Sequence, residues 1–235
     1  SMLPKDTESV YGEGLAGELM IGSEPLIIED FLTPCLRDFM QEAPSVHLQL
    51  IEQPPGAVLE ALSQGRIDLA CLPTAQPATF ARQLSDELTS EVVAPIPLAL
   101  AIPAARAGET QRDLRGWGRW ILPLRIAGFP ALPEAVDHLL GPEIADVIKV
   151  STPQTALPLV AAGMGVTLAT RGMAANHPGI STGVTEVELP SLHATFVWRK
   201  QPGLTPVTER FLEIARISGQ QRAAQLSRRR ASRPP

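Results

Sequence analysis

The fold of this chain is decided by a stretch that occurs twice, as PGAVLEALSQGRIDLACL at 55–72 and as PQTALPLVAAGMGVTLAT at 153–170, 98 positions later. In each copy, small and apolar residues recur at i, i+3, i+4 and i+7, which is the spacing of one helix face. Strand-like runs flank each helix, at 47–52 and 67–72 in the first copy and at 146–150 and 166–170 in the second. The pattern therefore predicts a strand, helix, strand unit in each half of the chain. The matching positions are Val58, Ala61, Leu62 and Gly65, then Ala156, Leu159, Val160 and Gly163.

Two such units predict two similar lobes. A helix of about ten residues between apolar strands implies a right-handed parallel crossover. The predicted fold class is α/β, with two Rossmann-like lobes around a central cleft and two crossover strands, near 92–102 and 195–198. Ligands of open parallel sheets bind beyond the carboxyl ends of the strands, so both lobes would line one shared cleft.

The same pattern suggests a domain division. We expect lobe 1 to comprise residues 17–93 and 194–219, and lobe 2 to comprise residues 94–193. Residues 1–16 are expected to be a linker or an expression remnant. Five arginines and no acidic residues follow Ser218, so residues 220–235 are expected to form a disordered basic tail.

A helical stripe near the start of the chain is typical of core packing. It runs through Phe31, Leu32, Leu36 and Phe39. Pro34 interrupts it, which predicts that the regular helix begins near residues 31–33 after a looser entry loop from 23 to 30.

Composition excludes several classes of protein. The chain has 235 residues, of which 44% are hydrophobic and 19% charged, so it can bury a substantial core. Cys35 and Cys71 are too few for a disulfide framework and indicate buried thiols in a reducing compartment. The formal net charge of −5 does not favour direct binding of nucleic acid. Scattered histidines with no ligand spacing predict no metal and no cofactor; they are His47, His138, His177 and His193.

Two short motifs have the wrong context for chemistry. GEGLAG at 12–17 matches a dinucleotide fingerprint, but a strand follows it where a helix is required. GISTG at 179–183 matches a nucleophile elbow, but it also leads into a strand pattern. We therefore expect no enzyme.

The order of several motifs resembles the effector-binding domain of LysR-type transcriptional regulators. These motifs are GELMIG at 17–22 with FLTP at 31–34, APSVHLQL at 43–50, LEALSQGRIDLA at 59–70 and LVAAGMGV at 159–166. The resemblance implies a fold like that of type II periplasmic binding proteins, a small-molecule effector between the lobes and homodimers or higher homo-oligomers. It also implies a cytoplasmic regulator whose DNA contacts belong to an N-terminal winged helix-turn-helix that has no counterpart in this sequence.

The resemblance places the effector against the loops after the first three strands and against the corresponding second-lobe turn. The family often has Ser or Thr in the first two loops to bind a carboxylate, and the apolar residues found here disfavour a simple carboxylate effector. Two arginines would supply charge from the second lobe. The expected effector-binding residues are Ser23, Glu24, Leu26, Ile27, Pro54, Pro55, Thr74, Arg125, Ser151, Thr152 and Arg171.

Two other functions share this predicted fold. A solute-binding protein of a transporter would have the same lobes together with a signal peptide. An enzyme on this fold would need converging acid, base or phosphate-binding groups, which the proline- and leucine-rich loops do not supply. The regulator domain is the function that the sequence favours.

Overall fold

The first lobe of the computed structural model is a parallel sheet extended by antiparallel strands; the structure describes residues 14–123, 139–140 and 146–231. Its parallel strands are β1 (Gly17–Ser23), β2 (Val46–Glu52) and β3 (Leu69–Thr74), with β1 in the middle. Strand β11 (Ser191–Arg199) pairs antiparallel with β3 and with β4 (Leu88–Pro103). The strand order is therefore β2-β1-β3-β11-β4.

The second lobe repeats this arrangement. Strand β6 (Trp120–Pro123) pairs parallel with β7 (Val147–Val150), and a parallel bridge from Trp120 to Val166 places β8 (Thr167–Thr170) on its other side. Strand β8 pairs antiparallel with the end of β4, and β9 (Ile180–Thr182) pairs with β4 as well. The fold class predicted from the sequence is confirmed.

Strand β4 belongs to both sheets. Residues 88–97 pair with β11 in the first lobe, and residues 98–103 pair with β8 and β9 in the second. The chain passes into the second lobe along β4 and returns into β11. These are the two crossovers predicted near 92–102 and 195–198.

The two repeated helices match position for position. Helix α3 is Pro55–Ser63 and helix α5 is Pro153–Ala161, each beginning with proline, and helices α1, α2 and α4 precede α5 as Pro25–Ile27, Thr33–Glu42 and Pro77–Gln83. After α3 and α5 the chain turns at Gly65 and Gly163, where φ is +72° and +80°. Glycine accepts this left-handed conformation without the steric cost that other residues incur.

The structure corrects the prediction of an entry loop at 23–30, because most of this segment is helical. Helix α1 begins at Pro25 and continues through a π-helical turn, Ile28–Leu32, directly into α2. Pro34 has no N–H to donate to the carbonyl of Asp30, so a helix through this point must adjust its hydrogen bonding. The wider turn does so, because the N–H of Thr33 bonds to the carbonyl of Ile28.

The structure also corrects the prediction of a disordered basic tail, because this segment is helical as far as Ala231. Helix α7 runs unbroken from Pro206 to Ala231, after the shorter α6 (Arg171–Asn176). Gly219 lets α7 lie directly against β4, because a Cβ there would collide with the carbonyl oxygen of Val93. Arg222 of the same helix is bound by Asp30, so tertiary contacts order a segment whose composition indicated disorder.

The main hydrophobic core joins both lobes. The rings of Phe39 and Phe196 meet Phe211 of α7 edge to face, with centroids 5.5 and 6.1 Å apart. The same cluster extends to Trp117 and Trp120 in the second lobe. Among the described residues, no helix is both long and apolar enough to cross a membrane, and no cluster of side chains is suited to hold a metal ion. Two short strands, β5 (Thr110–Gln111) and β10 (Val184–Thr185), pair beside the second lobe.

Candidate functional site

The lobes meet where helix α1 packs against helix α5. Leu26 and Ile27 of α1 are 2% and 0% exposed, and they share one hydrophobic cluster with Leu157 of α5. A ligand therefore does not reach these two side chains in this arrangement, although the sequence suggested them as contacts. They hold the lobes together instead.

The carboxyl ends of β1 and β2 form the first-lobe side of this junction. Ser23 and Glu52 are paired in the parallel ladder, and the N–H of Gln53 donates to the carbonyl of Ser23 at 3.1 Å. The Ser23 hydroxyl donates to the carbonyl of Cys71 at 2.7 Å, so it secures β1 to β3 and its one proton is used. Pro54 is exposed and Pro55 half-buried at the start of α3.

Glu24 is a buried acidic residue of the junction. It lies between β1 and α1 and is only 5% exposed. Its Oε2 is buried and has no hydrogen-bond partner in the part of the chain that the structure describes. Burial raises the pKa of Glu24 to about 8, and the charge of Glu52 adds to the rise. At neutral pH this carboxyl group is therefore mostly protonated.

The amino end of α5 forms the second-lobe side of the interlobe junction. Ser151 is exposed, and Thr152 caps the helix by accepting the N–H of Thr155 on its hydroxyl oxygen at 3.3 Å. Gln154, in the first turn, has a buried Nε2 that finds no acceptor among the described residues. The sequence analysis missed Gln154 as a site residue, although it stands at the start of the repeated stretch.

Thr74 ends β3 and is buried against the return strand. Its hydroxyl lies 2.8 Å from that of Thr195, and the residue is only 4% exposed. Half-buried His193 neighbours it on β11, and desolvation lowers the pKa of this imidazole.

Of the two arginines expected to face the effector, the described residues include Arg171. Arg171 is exposed at the start of α6 and lines a groove of about 1160 Å³ beside the crossover strands, together with His193. The other wall of this groove is formed by Ala223 and Leu226 of α7. Arg125 lies outside the described residues.

Asp30 connects three elements at the edge of the junction. One carboxylate oxygen accepts the N–H of Gly172 in α6 at 2.9 Å, and the other accepts from Arg222 of α7 at 2.6 Å. Arg222 also donates to the Asp30 carbonyl, which Pro34 leaves without its helical partner, and its guanidinium lies 5.3 Å from the centre of the Phe31 ring. This three-way contact was not visible in the sequence because its partners are far apart in the chain.

The junction has the chemistry of a binding site. It offers a buried carboxyl group, a second carboxylate nearby and an amide donor, and two of its hydrogen-bonding atoms have no partner among the described residues. These groups sit where strand ends of both lobes converge, the usual position of ligands in open parallel sheets. Such an arrangement has the groups needed to bind and orient a small polar molecule.

Comparisons with known proteins agree with this architecture. The family model of the LysR substrate binding domain matches residues 12–219. No curated protein sequence matches this chain. A crystal structure of full-length CbnR complexed with its target DNA has 23% sequence identity and a TM-score of 0.71, covering 87% of this chain and 71% of that chain.

Regulatory domains solved by themselves give similar values. A variant of the OxyR2 regulatory domain from Vibrio vulnificus has 21% identity and a TM-score of 0.68, with coverage of 88% of this chain and 98% of that chain. The reduced form of the OxyR regulatory domain from Pseudomonas aeruginosa has 16% identity and a TM-score of 0.70, with coverage of 89% and 97%. Identities this low show a common fold.

Two sheets of equivalent strand order, sharing one long strand and meeting at a polar junction, define a two-lobed ligand-binding domain. The chain belongs to the LysR substrate-binding domain family. The predicted identity as the effector domain of a LysR-type regulator is confirmed, and a transporter's solute-binding protein is not favoured.

Proposed function

We propose that this domain binds a small-molecule effector at the junction of α1 and α5, and that the bound effector sets the angle between the lobes. One observation carries the proposal: Glu24 Oε2, next to α1, and Gln154 Nε2, in α5 of the opposite lobe, are buried polar atoms with no hydrogen-bond partner among the described residues. Buried polar groups without partners are costly, so a molecule that satisfied both would stabilise the arrangement it binds.

The effector acts through a difference in affinity between two arrangements of the lobes. A ligand that bound both equally would shift nothing. In the described part of the chain, the crossings between the lobes run along β4 and into β11, which gives a place for hinge motion. We assign residues 17–93 and 194–219 to one moving lobe and 94–193 to the other, a division supported by the change of β4 partners at Leu98.

The remaining partners follow from the regulator family. We propose a homodimer or higher homo-oligomer, with DNA bound by a winged helix-turn-helix of the same protein, and action in the cytoplasm, where that DNA is. CbnR is one relative whose structure contains its target DNA. Sedimentation velocity tests the assembly: we expect dimers at micromolar concentration, and a monomer at every concentration would contradict this part of the proposal.

A thermal-shift screen of metabolites tests the binding itself. A ligand that binds only the native state raises the unfolding temperature in proportion to its occupancy. Ser151→Ala should weaken a verified ligand several-fold, by removing a hydrogen bond of about 1 kcal/mol. Ser45→Ala, exposed at the opposite end of β2, is the matched control. Equal affinity of both variants for that ligand would contradict the site.

A further inference from the structure

The described residues of the loops at the interlobe junction include two acidic side chains and no basic one. Their described residues are 23–27, 52–56, 72–76 and 151–154, and the charged residues among them are Glu24 and Glu52. These two acids lie at the ends of adjacent, paired strands, because Glu52 is in register with Ser23. The carboxylate of Glu52 therefore makes this edge of the first lobe unfavourable for an anion, and Glu24 adds to this effect when it is ionised.

Glu24 differs from Glu52 in that its side chain is buried. It is 5% exposed, and its Oε2 has no partner among the residues described. A carboxyl group is rarely buried at this depth unless something pairs with it. The group that would satisfy it best is a hydrogen-bond donor carrying positive charge.

Gln154 supplies an independent observation from the other lobe. Its buried Nε2 has hydrogens to donate and no acceptor in the described part of the chain. Helix α5, which carries Gln154, packs on helix α1, which directly follows Glu24. An acceptor oxygen a short distance from the positive group would satisfy this second open atom.

Helix amino ends at the junction could attract an anion, but their free N–H groups are reduced. Both α3 and α5 begin with proline, which has no N–H to offer. In α5 the N–H of Thr155 is already taken by the side chain of Thr152. An anion would therefore find fewer free N–H donors here than at a helix end without proline or a side-chain cap.

We propose that the effector carries a protonated amine or a guanidinium group, which pairs with the Glu24 carboxylate beside Glu52, together with an acceptor oxygen that binds the amide of Gln154. This inference rests on the proposed function, because it names the chemical class of ligand for the same junction.

The pairing makes binding depend on pH. Burial raises the pKa of Glu24 to about 8, so at pH 7 a cation displaces the proton from this group. The other titratable neighbours are Glu52 on β2 and Cys71 on β3, and burial raises the pKa of that thiol. Helix α5 brings no titratable side chain, and in the adjoining π-helical turn Glu29 is exposed and Asp30 is bound by Arg222.

The test uses putrescine, agmatine and arginine as cationic probes, and succinate, glutarate and benzoate as anionic ones, in thermal shift and calorimetry. The amines stay protonated between pH 6 and 8. We expect at least one cationic probe to bind, with affinity rising about tenfold from pH 6 to 7. Glu24→Gln should weaken it at least tenfold at pH 8 and remove the pH dependence. Glu18→Gln, exposed at the far end of β1, should leave it unchanged.

The outcomes separate this inference from the proposed function. An anionic probe that binds wild type and Glu24→Gln equally, with no amine binding, overturns the cation while leaving a binding site at the junction. Amine binding that is independent of both pH and Glu24 also overturns the inference. If no probe of either class binds, both the inference and the proposed function are contradicted.

Discussion

Replacing Glu24 with glutamine should make the domain increasingly more stable than the wild type as the pH rises from 5 to 8. The glutamine keeps the size and polarity of the side chain and cannot ionise. In the wild type, the folded protein holds Glu24 in its protonated form, whereas the unfolded chain releases that proton at a lower pH. The stabilisation is therefore complete at low pH and is lost as the pH rises.

The size of this effect follows from the two pKa values of Glu24. Burial raises the pKa from 4.5 to about 8. Between these values the native state binds one more proton than the unfolded state, so stability falls by about 1.4 kcal/mol for each pH unit. The whole window corresponds to a loss on the order of 4 kcal/mol, which the glutamine variant does not suffer.

Urea unfolding, followed by the fluorescence of the buried Trp117 and Trp120, measures the difference. The free energies of unfolding of wild type and Glu24→Gln should be similar near pH 4.5 and should diverge steadily up to pH 8. Glu18→Gln, at the far end of β1, controls for the loss of a negative charge. A difference between wild type and Glu24→Gln that stays constant within about 0.5 kcal/mol across this range would refute the reasoning.

Three further substitutions test individual contacts. Arg222→Ala should lower the free energy of unfolding by about 3 kcal/mol, because it leaves the nearly buried carboxylate of Asp30 without its cation; a loss below about 0.5 kcal/mol in urea unfolding would contradict this contact. Gly219→Ala should cost about 1–3 kcal/mol, since its Cβ would collide with strand β4. Gly56→Ala, which meets open space, is the control, and equal stability of the two variants would show that α7 does not lie so close to the strand. Thr152→Ala should lower the unfolding temperature through the loss of a helix cap of about 1 kcal/mol even without ligand, and an unchanged temperature would argue against the cap.

The repeated helices could be predicted from the sequence because local patterns determine them. Apolar spacing, a proline at the first position and a glycine after the last turn all lie within one short stretch, and they give α3 and α5 their observed ends. The equivalent strand order of the two sheets follows from the same repeat. Fold class and family therefore depended on information that is contiguous in the chain.

The contacts that shape the junction could not be predicted in this way. Asp30 and Arg222 are 192 positions apart, and nothing near either residue indicates the other. Composition alone made the tail look unstructured, although Gly219 allows the helix to pack on β4 and continue. The π-helical turn before Pro34 likewise reflects how a packed helix accommodates a missing N–H.

The candidate site could be predicted from the sequence in part. The topology predicted which strand ends would line the cleft, and the family resemblance named Ser23 and Glu24 there. Which side chains are buried core and which have open hydrogen-bonding atoms depends on how the lobes meet. For this reason Leu26 and Ile27 became packing residues, and Gln154 emerged only with the structure.

We propose that a molecule bound between the lobes changes their angle. The distance between one labelled residue in each lobe measures that change. Spin labels at Gln64→Cys and Ala162→Cys would mark equivalent, exposed positions at the ends of α3 and α5, while the native cysteines are buried. With a ligand from the thermal-shift screen, we expect the distance distribution measured by pulsed electron resonance to shift and narrow. A ligand that binds the junction and leaves this distribution unchanged would contradict the account.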